Sequence, residues 1–111
     1  MSLLTIDTRT TATGPLLRIA GDLDYATSEE LRTRVTGLTL EPGQCLVLDL
    51  GELEFCDSSG ITALLVARHH AAAAGADVAL EAVPDNTMRI LRIVGLDQIL
   101  TIRPDGASTA P

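Results

Sequence analysis

Residues 55–61, with the sequence Phe-Cys-Asp-Ser-Ser-Gly-Ile, decide the fold of this chain. An apolar run, Cys45 to Leu50, comes before them, and an alanine-rich stretch, Ile61 to Ala74, comes after them. A uniformly apolar run of this length is typical of a strand that is covered on both faces of a sheet. The sequence therefore predicts a buried strand, a short connection at residues 51–54 and a helix, with the turn that opens the helix at residues 57–60.

The first turn of that helix carries its own chemistry. Asp57 is placed to cap the helix, because its carboxylate can accept hydrogen bonds from the free N–H groups of Ser59 or Gly60. Ser58 and Ser59 then occupy the first helical positions, where backbone donors are unpaired and the helix dipole is positive. Gly60 has no side chain, so the backbone of another protein could approach it closely. We interpret this turn as a switch whose output is the charge state of one hydroxyl, that of Ser59.

The composition indicates one acidic domain with an aliphatic core. With 111 residues the chain is long enough to bury a single core. Its hydrophobic content is 46%, but it contains only one Phe, one Tyr and no Trp, so the core has to be built from aliphatic side chains. Eight basic against fifteen acidic residues give a net charge of −7. This balance argues against a nucleic-acid partner and favours partners with basic or mixed surfaces.

The sequence predicts a cytoplasmic protein with no membrane partner. No apolar stretch approaches the ~20 residues that span a bilayer. The first residues lack the basic region and apolar segment of an export signal. Cys45 and Cys56 lie in or beside the apolar run, and two such cysteines are expected to be buried, reduced and inert.

The first half of the chain predicts a hairpin followed by a helix. Residues 3–9 alternate weakly between apolar and polar, and 16–20 form a second apolar strand after a short turn, which indicates an antiparallel pair. A helix is expected to open near Tyr25. Thr27 and Glu30 have capping-box spacing, in which each side chain satisfies the other's backbone donor.

The second half alternates helix and strand. The helix after Asp57 should stop at Gly75, and a fourth strand should cover residues 77–81. A third helix, with Met88, Leu91 and Val94 on its apolar side, should stop at Gly95 and be followed by a short extended segment, 98–102. The predicted fold class is therefore α/β: a single domain over residues 3–102, with a mixed sheet, an N-terminal antiparallel hairpin and helices packed against it. Residues 103–111 are polar and small, and a disordered tail is expected there.

Two acidic corners should meet at one edge of this sheet. Strand–helix–strand units cross over right-handed, and functional surface gathers where strand ends face helix N-termini. The corner with Asp22 and Asp24 and the turn at residues 57–60 each follow one of two successive parallel strands. We expect both to open on the same rim.

The sequence disfavours three kinds of catalytic or cofactor site. A Ser-His-Asp hydrolase would need Ser59 near His69 or His70, but His69 lies about 15 Å away along the same helix, and a nucleophile and its base need ~3 Å. The two histidines are adjacent and point about 100° apart on a helix, so they cannot share one metal ion. Neither a nucleophile elbow nor a glycine-rich phosphate loop is present. The sequence therefore predicts no enzyme activity, no metal and no cofactor.

The Asp-Ser-Ser-Gly turn could still be a simple helix start. Asp and Ser are common there, and the tetrapeptide alone indicates no more than that. A functional turn is favoured by the presence of two hydroxyls, and by a glycine inside the first turn at a cost of up to ~1 kcal/mol relative to Ala. For Asp24, a plain capping or turn role stays open.

Four segments resemble the STAS domain family, specifically the freestanding bacterial anti-sigma-factor antagonists. They occur in the family's order and spacing and cover essentially all of residues 3–102. These segments are Gly21–Asp24, Leu46–Leu50, Phe55–Gly60 and Gly95–Asp97.

The resemblance implies a partner-switching function. In that family the unphosphorylated protein binds an anti-sigma factor, which is also an ATP-dependent serine kinase, and so frees a sigma factor. The kinase phosphorylates the second serine of the turn, Ser59 here, and a metal-dependent serine phosphatase removes the phosphate. Ser58 matches an auxiliary serine and Asp24 an acidic position beside the phosphorylated one. The implied partner-binding residues are Asp22, Asp24, Asp57, Ser58, Ser59 and Gly60.

Two points stay open at the level of sequence. Cys56 stands where the family more often has an aliphatic residue, which should affect packing rather than the switch. The alternative function is a STAS-type interaction module that acts as a scaffold or a transport-associated subunit, not as a sigma regulator.

Overall fold

A computed structural model describes residues 4–103 of the chain. After an initial hairpin, helices alternate with strands along this part of the sequence. The elements are β1 Leu4–Thr11, β2 Gly14–Leu23, α1 Ser28–Thr36, β3 Cys45–Cys56, α2 Ser58–Ala73, β4 Asp77–Glu81, α3 Asp85–Val94, a 3₁₀ turn Leu96–Gln98 and β5 Thr101–Ile102.

The strands form one sheet in the order β1-β2-β3-β4-β5. β1 and β2 are antiparallel, and every later neighbour pair is parallel. This confirms the predicted α/β domain with a mixed sheet and an N-terminal hairpin. The turn of the hairpin is tighter than predicted, because Gly14, at φ +140°, already belongs to β2. Its backbone lies so close to the Cys45 carbonyl that a Cβ would be 2.5 Å from that oxygen. The predicted start of the first strand, residue 3, lies outside the described residues.

The core is aliphatic, as the composition predicts. Leucines that alternate along β3 pack with β2 and with α1 and α2, where Leu31, Val35 and Leu64 are fully buried. Neither aromatic side chain belongs to this cluster. The side chains at alternate positions on β2 and β3 point to the other face of the sheet, where Arg18 and Asp49 lie 3.6 Å apart as an ion pair.

β3 is longer than predicted and contains two irregularities. The sequence predicts a connection at residues 51–54, and this is wrong: the strand runs on to Cys56. Arg18 pairs with Asp49 but Ala20 pairs with Glu52, so two steps along β2 correspond to three along β3. The register shifts again before Phe55, and β3 therefore has one extra residue relative to β2 at each of the two places. A β-bulge accommodates such a residue without ending the pairing.

Helix ends follow the local signals at most positions. α2 is followed by Gly75 at φ +75° and α3 by Gly95 at φ +81°, both as predicted. On α3, Leu91 is fully buried, but Val94, predicted on the same apolar side, is 55% exposed. The last predicted extended segment, residues 98–102, is extended only at its end. A 3₁₀ turn includes its first residue, and β5 has two residues.

Arg103, the first residue after the predicted domain, contacts the sheet. Arg103, assigned to the tail by its sequence, donates its backbone N–H to the Leu80 carbonyl at 2.8 Å. Its guanidinium also pairs with the buried Glu81 carboxylate at 2.9 Å. The rest of the predicted tail, residues 104–111, lies outside the described part. Within residues 4–103, no helix is both long enough and apolar enough to cross a membrane.

Candidate functional site

The candidate site lies where β2 and β3 end side by side. Leu23 and Cys56, the last residues of the two strands, are paired in the sheet. The Asp57 backbone N–H donates to the Leu23 carbonyl at 3.2 Å, and this hydrogen bond joins the end of β2 to the residue that follows β3. Asp24 and Asp57 are the next residues on each chain. The prediction that the two acidic corners share one rim is therefore confirmed.

Asp57 caps α2 as predicted. Its backbone is extended, at φ −108° and ψ −169°, and its Oδ1 accepts from the Ser59 N–H at 2.8 Å and from the Gly60 N–H at 3.2 Å. Two of the four donors that a helix start leaves unpaired are thereby satisfied by a carboxylate of the chain itself. The site is consequently less receptive to a second anion than an uncapped helix start would be.

The two serine hydroxyls lie at the surface of this turn. Ser58 is exposed and Ser59 is half-buried. Within residues 4–103, neither hydroxyl has a hydrogen-bond partner, although the Ser58 carbonyl accepts from the Thr62 hydroxyl at 3.0 Å. Neither side-chain oxygen is therefore held by another residue of this part of the chain.

Gly60 has a role that the sequence interpretation did not foresee. It is buried, and a Cβ at this position would lie 2.7 Å from Cys56 Sγ and 2.8 Å from both Cγ and the carbonyl oxygen of Leu23. Atoms of this type do not approach so closely, so the residue has to be glycine for α2 to start against β2. The close approach that Gly60 permits is therefore made within the chain itself.

Asp24 builds the second corner. Its Oδ1 accepts from the backbone N–H groups of Ala26 at 3.0 Å and Thr27 at 3.1 Å. The Thr27 hydroxyl accepts from the Asp24 N–H at 2.9 Å and donates to the Asp22 carbonyl at 2.7 Å. The predicted capping box between Thr27 and Glu30 is therefore wrong: no side-chain cap forms at Thr27, because its hydroxyl is already engaged in the preceding turn. The turn role that the sequence left open for Asp24 is confirmed.

The rim is electrostatically negative. Asp22, Asp24 and Asp57 are half-exposed and Glu54 is exposed. None of these four carboxylates forms an ion pair in the part of the chain that the structure describes, where the two ion pairs lie on the sheet. A partner that approaches this rim meets several uncompensated charges of one sign.

The cysteines have different surroundings. Cys56 is buried beside the rim, and burial, assisted by the Asp57 carboxylate, raises the pKa of its thiol to about 11. Cys45 is only half-buried, contrary to expectation, and burial again raises the pKa of its thiol, in part against the effect of the Arg103 guanidinium. Both cysteines are free thiols.

The histidines lie away from the rim. His70 Nε2 is 2.8 Å from the Leu38 carbonyl, just after α1, while His69 is exposed. Among residues 4–103, no group of three His, Cys, Asp or Glu side chains is arranged to hold a metal ion.

A groove beside Ser58 was missed at the sequence level. It lies between α2 and α3 and has a volume of about 350 Å³. Ile90 and Val94, one helical turn apart, mark its α3 side, but their spacing resembles that of an ordinary core stripe. The lining residues are Ser58, Ile61, Thr62, Leu65, Ile90, Val94 and Leu96.

Comparison with known families decides the membership of this chain. The family model described as "Mlab, STAS domain" matches residues 6–102. The chain belongs to the STAS domain family. The five-stranded mixed sheet and the helices described above are accordingly the STAS fold of this protein.

Solved structures with the same fold come from more than one functional setting. An anti-sigma factor antagonist from Mycobacterium paratuberculosis is 20% identical, with a TM-score of 0.79 over 90% of this chain and 85% of that one. The anti-sigma factor antagonist SpoIIAA in its unphosphorylated form is 16% identical, with a TM-score of 0.76 over 95% and 91%. A sulfate transporter family protein from Wolinella succinogenes is 18% identical, with a TM-score of 0.69 over 81% and 75%. At these identities the likeness concerns the fold, so the function of this STAS domain has to be argued from its own rim.

Proposed function

We propose that this STAS domain is an anti-sigma-factor antagonist that is switched by phosphorylation of Ser59. The unphosphorylated form binds an anti-sigma factor with serine kinase activity and thereby frees a sigma factor. The phosphorylated form does not bind, and a metal-dependent serine phosphatase restores the first state. The observation that carries the proposal is the half-buried Ser59 hydroxyl, which has no partner among the described residues and lies at the start of α2, on the rim that also holds Asp24.

The proposal assigns the rim to the partner interface. The surface comprises the two acidic corners and the first turn of α2, and the protein acts in the cytoplasm as an interaction module without enzymatic activity of its own. Ser58, exposed next to Ser59, is an auxiliary position. The proposed partner-binding residues are Asp22, Asp24, Asp57, Ser58 and Ser59, and the predicted sixth, Gly60, is left out because it is buried against Leu23 and Cys56.

Charge explains how one phosphate can change affinity. A phosphoserine carries about −1.5 to −2 charges at neutral pH. Because Asp57 already accepts from the Ser59 and Gly60 N–H groups, a phosphate on Ser59 would compete with that carboxylate for the same donors. The added charge joins a rim that already carries carboxylates without ion-pair partners among the described residues. Like charges brought together across an interface cost several kcal/mol, and each 1.4 kcal/mol changes affinity about tenfold.

The folded domain can tolerate the same phosphate. Ser59 is not sealed in the core, so the modification does not bury a charge. The positive end of α2 also offsets part of the repulsion, by ~0.3–1 kcal/mol at an exposed helix start. The proposed switch thus acts on the interface and needs no refolding.

Phosphorylation mapping tests this proposal directly. The purified protein is incubated with ATP and candidate anti-sigma-factor kinases, and the product is analysed by intact mass and peptide mapping. We expect one phosphate on Ser59, none on Ser59→Ala, and continued modification of Ser58→Ala as the matched control. Ser59→Ala should keep its affinity for the kinase, while Ser59→Asp should bind more weakly. Equal affinities of the two Ser59 variants would refute the switch.

A transport-associated subunit is the second candidate. It is favoured by the fold shared with a sulfate transporter family protein. Co-purification separates the two candidates: a kinase-like ATPase partner supports the sigma regulator, and a stable membrane complex supports the transport subunit.

A further inference from the structure

Both aromatic side chains of this protein lie at the surface. The chain contains one Tyr and one Phe, and Tyr25 is 84% exposed and Phe55 49% exposed. Single exposed apolar residues are normal in proteins. Two features set this pair apart: no aromatic ring enters the core, and both rings belong to the rim of the candidate site.

A bulge in β3 turns Phe55 outward. Gly21 pairs with Leu53 and the next residue, Asp22, pairs with Phe55, so Glu54 is surplus on β3. Leu53 and Cys56 both belong to the core cluster. In a regular strand, alternation would put Phe55 on the same face as Leu53, inside the core. The fold thus gives up the burial of a Phe ring, and bulges that redirect a side chain in this way are found next to functional sites.

The two rings flank the acidic corners. Phe55 pairs with Asp22 on a neighbouring strand, a spacing of about 4.8 Å. Tyr25 directly follows Asp24 in the turn before α1. Phe55 therefore has a carboxylate beside it on its own strand, the exposed Glu54, and another on β2, and Tyr25 has the half-exposed Asp24 beside it.

Aromatic rings among carboxylates fit a particular kind of surface. Exposed Tyr and Phe side chains bury large areas when a partner covers them, and Tyr is enriched among residues that dominate binding energy. An Arg or Lys side chain can lay its apolar stem or its cation on a ring and pair with a neighbouring carboxylate. A second copy of this chain would bring an equally acidic rim and be repelled.

We propose that Tyr25 and Phe55 are the two anchors of a docking surface for a protein that presents Arg or Lys side chains beside an apolar recess. This inference rests on the proposed function in one respect: the docked protein is the one that phosphorylation of Ser59 repels. The inference adds what attracts the partner. The two aromatic rings are buried on binding, and the basic side chains of the partner complement the net charge of −7 of this chain.

Photo-crosslinking tests where the partner lies. The photoreactive amino acid p-benzoylphenylalanine is placed at position 25, at position 55 and, as a control, at position 99, and each protein is expressed in cells of its native host. Ile99 is a matched control because it is 47% exposed and precedes β5, whereas the rim lies between β2 and β3. We expect positions 25 and 55 to capture the same polypeptide, through a segment that contains Arg or Lys, and position 99 to capture none of it. Capture of different polypeptides, of nothing, or of a second copy of this chain overturns the proposal.

Binding measurements with the identified and purified polypeptide test the energetics. Tyr25→Ala and Phe55→Ala should each raise the Kd about tenfold or more, and Ile99→Ala should change it less than twofold. Because the three side chains are exposed, all variants should melt close to the wild type. Kd changes below twofold for both aromatic variants would overturn the proposal.

Ser59→Asp, measured with the same polypeptide, separates this inference from the proposed function. If the aromatic variants lose affinity and Ser59→Asp does not, the docking surface stands and the phosphorylation switch fails. If Ser59→Asp loses affinity and the aromatic variants do not, the switch stands and the aromatic anchors fail.

Discussion

Replacing Gly60 with Ala tests whether the start of α2 is held by the chain's own packing or kept open for a partner. The new Cβ would lie within 3 Å of three atoms, namely Cys56 Sγ, Leu23 Cγ and the Leu23 carbonyl oxygen. The last of these is a backbone atom in a paired strand and cannot move aside easily.

The two contributions to stability have opposite signs. Overpacking a core site costs ~1–3 kcal/mol, and three short contacts place Gly60→Ala near the upper end. Ala in place of Gly within a helix returns ~1 kcal/mol. The net destabilisation should therefore be about 2 kcal/mol, or roughly 10 °C in Tm for a domain of this size.

Urea unfolding of wild type, Gly60→Ala and Ala72→Gly measures these contributions. Ala72 is an exposed position in the last turn of the same helix, so Ala72→Gly gives a helix-propensity effect without a change in core packing, at most ~1 kcal/mol of destabilisation. We expect Gly60→Ala to be less stable than the wild type. If it is instead more stable by about the amount that Ala72→Gly loses, the packing explanation fails, and a glycine kept for the approach of a partner becomes the better account.

Three further predictions concern the same rim. Asp57→Ala should lose the helix cap and destabilise the domain by ~0.5–2 kcal/mol in urea unfolding, and an unchanged midpoint would contradict the capping geometry. Asp24→Ala should destabilise by ~1 kcal/mol, because its carboxylate holds the turn before α1; a loss of phosphate transfer to Ser59 beyond what this destabilisation explains would show a separate role at the kinase interface. In the native protein, the Cys56 thiol should react with a maleimide far more slowly than after unfolding, and its rate should keep rising tenfold per pH unit up to about pH 11, whereas a plateau near the ordinary thiol pKa would contradict the burial effect.

The sequence predicted well those features around the site that depend on residues close together in the chain. The Asp57 cap, the glycine stops after α2 and α3, and the bounds of β4 all follow from local residue types whose backbone preferences are strong. The shared rim followed from topology, since the ends of neighbouring parallel strands lie together.

The errors arose where a partner elsewhere in the fold decides. The Thr27 hydroxyl could cap α1 in a capping box with Glu30, or it could hydrogen-bond within the turn at Asp24. The residue spacing alone does not show which of these two arrangements is more stable. The bulges of β3 depend on the register against β2, which no stretch of β3 encodes by itself. The tight packing of Gly60 on Leu23 likewise joins residues far apart in sequence. The sequence alone therefore does not distinguish a glycine that is needed for packing within the chain from one that leaves space for a partner protein.

The surplus residues of β3 have a consequence for comparing or rebuilding this protein. They add no length to the pairing with β2, because a regular ladder that lacked both of them would still place Cys56 opposite Leu23. Deleting Glu54 would leave Leu53, Phe55 and Cys56 in regular register with Gly21, Asp22 and Leu23, with Leu53 and Cys56 still in the core and Phe55 still outward. A homologue without this residue should therefore be aligned with a gap inside the strand, and its serine turn should still begin beside the end of β2.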